Sequence, residues 1–103
     1  MSPFKIVAKL NEIPTGKVQV VEPNGYRIAL CNVDGNIYAI DDICTHDGAA
    51  LDQGELEGKA IECPRHGARF DVITGRVLAL PAVRPVRTYP VRVENDEIAV
   101  EIG

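Results

Sequence analysis

Two matched hexapeptides constrain this chain more than any other feature of its sequence. Residues 44–49 read CTHDGA and residues 63–68 read CPRHGA, and together they contain both histidines and two of the three cysteines. Thiolate and imidazole groups are ligands that transition metals favour. A fold that carries both hexapeptides on neighbouring loops can direct one thiolate and one imidazole from each of them to a common centre. The candidate ligands are Cys44, His46, Cys63 and His66.

The remainder of the chain predicts an all-β scaffold. Short runs rich in β-branched residues alternate with turn signals, and no segment shows helical periodicity. Asp34-Gly35 and Asn95-Asp96 each separate two such runs and predict hairpins. Many short strands at this spacing indicate an antiparallel β-sandwich or small barrel. The predicted strands are residues 4–10, 17–22, 26–33, 36–41, 59–63, 68–72, 86–94 and 97–102.

Length and composition favour one domain in the cytosol. The 103 residues fit a single domain, and no run approaches the roughly 20 apolar residues of a membrane span. The first residues are too polar for a signal peptide. Cytosolic cysteines stay reduced, so a Cys/His cluster indicates metal chemistry before a disulfide. Cys31, which falls inside a predicted strand, is expected to be a small buried apolar residue.

The charge pattern bears on partners. The net charge is −4, which makes nucleic acid an unexpected partner. Residues 34–62 contain eight acidic residues and one lysine, a balance of −7, whereas residues 64–93 contain six arginines and one aspartate, a balance of +5. A polarised surface of this kind would steer a protein partner, unless the charges scatter over unrelated faces.

Two metal centres fit two cysteines and two histidines. One is a structural zinc ion, and the other is a 2Fe–2S cluster with cysteines on one iron and histidines on the other. Zinc modules more often group like ligands, as in C-x₂₋₄-C and H-x₃₋₅-H. Here each hexapeptide supplies one ligand of each kind, which favours a cluster clamped between two similar loops.

The pattern C-x-H-x₁₆-C-x₂-H, together with LPAVRPV at residues 80–86, resembles the Rieske iron–sulfur family. The resemblance implies one Rieske 2Fe–2S cluster per chain, held by the four candidate ligands. It also implies a Rieske fold over residues 1–103, a β-sandwich or barrel base with an inserted cluster-binding subdomain at about residues 42–82. Two ligand loops and a proline-containing loop form that subdomain. The expected apolar rim around the cluster consists of Leu51, Leu80, Pro81 and Ala82.

Departures from the high-potential members of the family narrow the subclass. Those proteins carry an extra cysteine in each loop, forming a disulfide, and here the matching positions are Ala49 and Arg65. They also carry a serine and a tyrosine whose hydroxyls donate to sulfur, where this chain has Ala68 and Phe70. Lost donors lower the reduction potential, so we expect a value near the low end of the Rieske span of roughly −150 to +300 mV.

A low potential is typical of the soluble Rieske ferredoxins of bacterial aromatic-ring-hydroxylating dioxygenase systems. The resemblance implies an electron carrier rather than an enzyme, since both histidines are used by the cluster and none remains for a mononuclear iron site. It implies two transient partners, a flavin-containing NAD(P)H-dependent reductase and a terminal oxygenase, with the carrier itself a monomer that does not bind membranes. Arg65 and Arg69, which flank His66, are candidates for tuning the choice of partner.

Other functions remain open from the sequence. The small subunit of nitrite reductase systems is similar in size and fold, but that family commonly departs from the four-ligand set. A structural zinc-binding module or a redox sensor would use the same residues for another purpose.

Overall fold

The computed structural model describes residues 4–45, 48–64, 67–80, 82 and 84–102. Regular structure within these residues is antiparallel β-strand, apart from short 3-10 turns at Leu10–Glu12, Pro23–Gly25 and Leu51–Gln53. Among the described residues, no helical segment has the length and hydropathy that crossing a bilayer requires. The strands are β1 (Phe4–Lys9), β2 (Val18–Val21), β3 (Ile28–Val33), β4 (Asn36–Asp41), β5 (Leu56–Glu57), β6 (Ala60–Glu62), β7 (Arg69–Asp71), β8 (Val77–Ala79), β9 (Thr88–Tyr89), β10 (Val91–Glu94) and β11 (Glu97–Glu101).

The strands form three sheets with two cores between them. Sheet orders are β1-β11-β10, β2-β3-β4-β9 and β5-β6-β7-β8. One core joins the first two sheets and includes Ile28, Leu30, Ile98 and Val100, all fully buried. The other core joins the second and third sheets around Phe70. Because inward and outward positions alternate along β3, this central strand contributes to both cores. The all-β prediction is confirmed.

Both predicted hairpins form where the turn residues indicate. Asp34 and Gly35 have φ of 52° and 90°, and their flanking residues are paired in the ladder between β3 and β4. Asn95 and Asp96 have φ of 52° and 64° in the turn between β10 and β11. Two consecutive residues with positive φ define the turn whose twist matches the flanking strands. Local turn chemistry therefore set these two connections.

The predicted strand at 86–94 is divided by Pro90. On one side of Pro90, β9 pairs with β4 in the second sheet; on the other, β10 pairs with β11 in the first. Proline has no N–H to donate to a ladder, so a continuous strand through it would lose a hydrogen bond. The Pro90 carbonyl still accepts the N–H of Glu101 at 3.0 Å. The single-strand prediction for 86–94 was wrong because Pro90 lets the chain change sheets.

The third sheet lies within residues 56–79, inside the predicted subdomain at 42–82. Its two outer strands, β5 and β8, are absent from the predicted strands, whereas β6 and β7 fall within the predictions at 59–63 and 68–72. Its inner strands, β6 and β7, frame the second hexapeptide, since Glu62 pairs with Arg69 across the ladder. The bounds of the subdomain remain a prediction.

Candidate metal centre

Cys44 and Cys63 lie in one apolar core beneath the two hexapeptides. Each is 1% exposed, and both belong to the core between the second and third sheets. Leu51, Phe70 and Ala82 lie in the same core, each with no exposed surface. The fold thus brings together two thiols that are 19 positions apart in the sequence. Their surroundings exclude water, which strengthens electrostatic interactions at a metal centre.

The two hexapeptides form turns with the same hydrogen bonds. In the first, the Cys44 N–H donates to the Ala49 carbonyl at 2.7 Å, and the Gly48 N–H donates to the Cys44 carbonyl at 2.8 Å. In the second, the Cys63 N–H donates to the Ala68 carbonyl at 2.6 Å, and the Gly67 N–H donates to the Cys63 carbonyl at 3.2 Å. The similarity seen in the sequence is therefore a similarity of backbone structure.

Glycine has a conformational role in both turns. Gly48 has φ of 81° and Gly67 has φ of 75°, the left-handed region that side chains disfavour. A Cβ built on either residue meets no atom within 4 Å. The backbone angle, and not the available space, accounts for glycine at these two positions.

The first turn is held at its base by a buried carboxylate. Asp42 Oδ2 accepts the Arg27 Nε–H at 2.8 Å, and Asp42 Oδ1 accepts the Asp52 N–H at 2.7 Å. The Asp42 side chain has no exposed surface, whereas 49% of the Arg27 side chain is exposed. Burial, followed by the interaction with the Asp52 side chain, raises the pKa of Asp42, against the opposing effects of the Asp52 N–H and Arg27. This contact could not be predicted from the sequence, because two adjacent aspartates at the end of a strand do not reveal which carboxylate points inward.

The second turn is framed by strands and by ion pairs on their surface. Arg69 Nε lies 3.4 Å from Glu62 Oε1, and Arg69 Nη2 lies 3.5 Å from Glu57 Oε2. The charge of Arg69 is therefore already matched by acids of the third sheet, which weakens its expected role in partner choice. Arg65 lies outside the described residues.

Described residues after β8 contact the first turn and the core that contains the cysteines. Thr45 Oγ1 donates to the Arg84 carbonyl at 2.7 Å, and the Val86 N–H donates to the Gly75 carbonyl at 2.8 Å. Ala82 is buried beside the cysteines, as is Leu51 in the first loop. Leu80 is 76% exposed. Of the expected rim, then, Leu51 and Ala82 belong to the core and Leu80 faces solvent, while Pro81 lies outside the described residues.

Cys31 is separate in role from the other two cysteines. It is fully buried in β3, and burial, followed by the field of Asp42, raises the pKa of its thiol to about 12. A thiol with so high a pKa is a poor nucleophile and a poor ligand at neutral pH. The expectation that Cys31 is a small buried residue is confirmed.

The donor atoms among the described residues are of the kind that binds an iron–sulfur cluster. Cys44 and Cys63 each present one sulfur from matched turns in the same core, as a Rieske cluster would require of its two cysteine ligands. Ala49, which stands where a bridging cysteine would be needed, instead closes the first turn through its carbonyl. His46 and His66 lie outside the described residues, and their role as ligands remains a prediction.

Comparisons with known proteins agree with this assignment. Residues 4–90 match the family model described as the Rieske [2Fe-2S] domain. The chain is 47% identical over 95 residues to the ferredoxin component of the naphthalene 1,2-dioxygenase/salicylate 5-hydroxylase systems of a Ralstonia species, covering 92% of this chain and 91% of that one.

Two solved structures have the same fold. The ferredoxin of carbazole 1,9a-dioxygenase from Nocardioides aromaticivorans IC177 superposes with a TM-score of 0.91 at 39% identity, covering 96% of this chain and 97% of that one. A chain in the complex of reduced oxygenase and oxidized ferredoxin in carbazole 1,9a-dioxygenase superposes with a TM-score of 0.92 at 32% identity, covering 98% of this chain and 94% of that one. The family model spans most of the sequence, and the two matched turns bury their cysteines in one apolar core. This chain therefore belongs to the Rieske [2Fe-2S] domain family.

Proposed function

We propose that this protein is a soluble one-electron carrier, the ferredoxin component of an aromatic-ring-hydroxylating dioxygenase system. It takes electrons from an NAD(P)H-dependent flavin reductase and passes them to a terminal oxygenase. The proposal is supported by relatives that are named as ferredoxin components and that align with this chain over nearly their whole length. We further propose that it acts in the cytosol as a monomer.

The proposed ligands of the Rieske cluster are Cys44, His46, Cys63 and His66. The observation that carries this assignment is the pair of turns with identical hydrogen bonds, each of which buries one cysteine in the same core. Each turn contains one histidine, two or three residues after its cysteine. Two similar turns that each give one sulfur and one nitrogen ligand satisfy the two-cysteine, two-histidine requirement of a Rieske centre.

The described residues provide the environment that such a centre needs. When bound, the cluster supplies a one-electron couple. Leu51, Phe70 and Ala82 exclude water from the side on which the cysteines lie. Neither Ala68 nor Phe70 has a hydroxyl to donate to sulfur, so these residues do not stabilise the additional negative charge of the reduced state.

The oxygenase partner is supported by a related assembly. In the carbazole 1,9a-dioxygenase system, oxygenase and ferredoxin have been solved as a complex. Exposed Leu80, next to the buried Ala82, offers this chain an apolar contact beside the centre. A contact of this kind must be transient, because the carrier has to leave after each electron.

The assignment is tested by electron paramagnetic resonance and by electron transfer. Protein reduced with dithionite should give a rhombic low-temperature signal, with an average g below that of an all-cysteine 2Fe–2S protein. The reduced protein, freed of dithionite, should then be reoxidised by the terminal oxygenase of a naphthalene 1,2-dioxygenase system under anaerobic conditions. If the protein gives a Rieske signal but transfers no electron to this oxygenase or to that of the carbazole system, the proposed role is refuted, while the assignment of the cluster stands.

A further inference from the structure

The two ligand turns are closed in different ways. Residues 63–68 lie between β6 and β7, and the ladder of these strands joins Glu62 to Arg69 at the base of the turn. Residues 44–49 follow β4 but lead into the 3-10 turn Leu51–Gln53, and the next described strand along the chain is β5. A strand ladder therefore closes the second turn but not the first.

Asp42 closes the first turn where no strand ladder does so. Its carboxylate accepts the N–H of Asp52 at 2.7 Å, so it joins the residue before the first ligand segment to the residue after it. The segment between them, residues 43–51, carries Cys44 and His46. Joining the ends of a flexible segment removes conformations in which its side chains point elsewhere.

Arg27 fixes the carboxylate in turn. Its Nε–H donates to Asp42 Oδ2 at 2.8 Å, and its carbonyl accepts the Asp42 N–H at 3.0 Å. Arg27 immediately precedes β3, the central strand of the molecule. Both oxygens of Asp42 are thus engaged, and the buried side chain is connected through Arg27 to the most buried part of the scaffold.

We propose that Asp42 is a positioning residue of the metal centre. By closing residues 43–51 and connecting them to Arg27, it holds the first turn in place relative to the second. It touches neither partner and carries no electron; it acts through the placement of Cys44. The inference rests on the ligand set of the proposed electron carrier.

Asp71 provides a matched control within the same chain. It is also a buried aspartate, it accepts the N–H groups of Ile73 at 2.8 Å and Thr74 at 3.2 Å, and it lies 3.3 Å from Lys59 Nζ. It closes the turn after β7, and none of its hydrogen bonds or ion pairs reaches a described residue of either hexapeptide. Asp42 and Asp71 are therefore similar in burial and bonding but differ in the segment that they close.

The test measures how fast the cluster is lost from the loaded protein. Asp42→Ala, Asp42→Asn and Asp71→Ala are mixed with excess EDTA, and the decay of the visible absorbance is followed. Asp42→Ala should lose its cluster about 10- to 100-fold faster than wild type, the usual effect of removing a residue that orients a metal ligand. Asp42→Asn, which keeps an acceptor for the Asp52 N–H, should fall between wild type and Asp42→Ala. Asp71→Ala should remain near the wild-type rate.

Two further measurements separate positioning from general destabilisation. The free energy of unfolding of each apo variant shows whether Asp42→Ala and Asp71→Ala weaken the scaffold equally. The width of the low-temperature resonance lines should increase in the Asp42 variants alone, because a looser turn gives a broader range of cluster geometries.

Equal decay rates for Asp42→Ala and Asp71→Ala at equal losses of stability would overturn the proposal. If Asp42→Ala does not fold, a wild-type decay rate and line width in Asp42→Asn would overturn it. Failure of the electron-carrier role has a different signature: the wild-type protein would retain its cluster and its line width but transfer no electron to the oxygenase.

Discussion

Thr45 Oγ1 donates a hydrogen bond to the Arg84 carbonyl at 2.7 Å, across 39 positions of sequence. This bond joins the first hexapeptide to the segment that contributes Ala82 and Val86 to the core of the cysteines. Thr45 stands between Cys44 and His46. A single hydroxyl therefore connects the first pair of proposed ligands to a segment that is distant in the sequence.

Replacing Thr45 by valine should loosen that connection. Valine keeps the shape of threonine but cannot donate, so the Arg84 carbonyl loses its partner at a cost of about 1 kcal/mol in free energy of unfolding. Thr45→Ser keeps the hydroxyl and serves as the control. Denaturant unfolding of the loaded proteins measures the free energy of unfolding of each variant and of wild type. A Thr45→Val variant as stable as wild type would contradict the prediction.

Adding a hydroxyl near the cysteines should raise the reduction potential of the cluster. Phe70→Tyr places a donor in the core that contains Cys44 and Cys63. A net hydrogen bond of ~1 kcal/mol to sulfur in the reduced state corresponds to a rise of about 40 mV for one electron. Voltammetry of wild type should give a reduction potential in the low part of the Rieske range, about −150 mV.

Phe4→Tyr adds the same hydroxyl in β1, which belongs to the first sheet and not to the core of the cysteines. Its potential should equal that of wild type. An equal shift in both variants would mean that the hydroxyl acts through general polarity and not through a bond to sulfur.

Gly75→Ala should destabilise the protein through a close backbone approach. A Cβ at Gly75 would lie 2.2 Å from the Val86 carbonyl oxygen, and Gly75 has φ of 81°. Steric strain and the unfavourable backbone angle together should lower the free energy of unfolding by about 3 kcal/mol. The control is Gly35→Ala, because Gly35 has φ of 90° but open space around its Cβ position, so only the angle contributes, at about 1 kcal/mol. Thermal unfolding measures the stability of both variants, and an equal loss of stability in Gly75→Ala and Gly35→Ala would contradict this account.

Tyr89 should make stability depend on alkaline pH. Burial, followed by the hydrogen bond that its hydroxyl donates to Asp41, raises its pKa from about 10 to about 12. The folded state disfavours the tyrosinate, so this contribution is complete below pH ~10 and is lost as the pH rises through about 12. The free energy of unfolding should fall across this interval, and Tyr89→Phe should remove that part of the dependence. An unchanged pH profile in Tyr89→Phe would show that another group titrates there.

The parts of the molecule that could be predicted from the sequence are those that depend on neighbouring residues. Asp34-Gly35 and Asn95-Asp96 adopt positive φ because of their own chemistry, and their hairpins follow. The hexapeptides share a spacing of cysteine and glycine, and their backbone turns are correspondingly alike. Ligand types at a fixed spacing also identified the family before any geometry was known.

Contacts between distant segments could be assigned only in the folded molecule. Pro90 divides one apparent strand between two sheets, which depends on which partners lie beside each half. In the same way, nothing in the order of residues distinguishes Asp42, buried against Arg27, from its neighbour Asp41, which accepts from Tyr89.

The sequence alone determined the β-rich scaffold and the hairpin turns, because each arises from interactions over a few residues, and it also predicted the proposed ligand residues. Tertiary structure decided how the first ligand turn is closed and which residues shield the cysteines. Those features require Asp42 to meet Arg27 and Thr45 to meet Arg84, across 15 and 39 positions. Hydrogen bonds over such separations exist only after the sheets have packed, since chain proximity does not supply them.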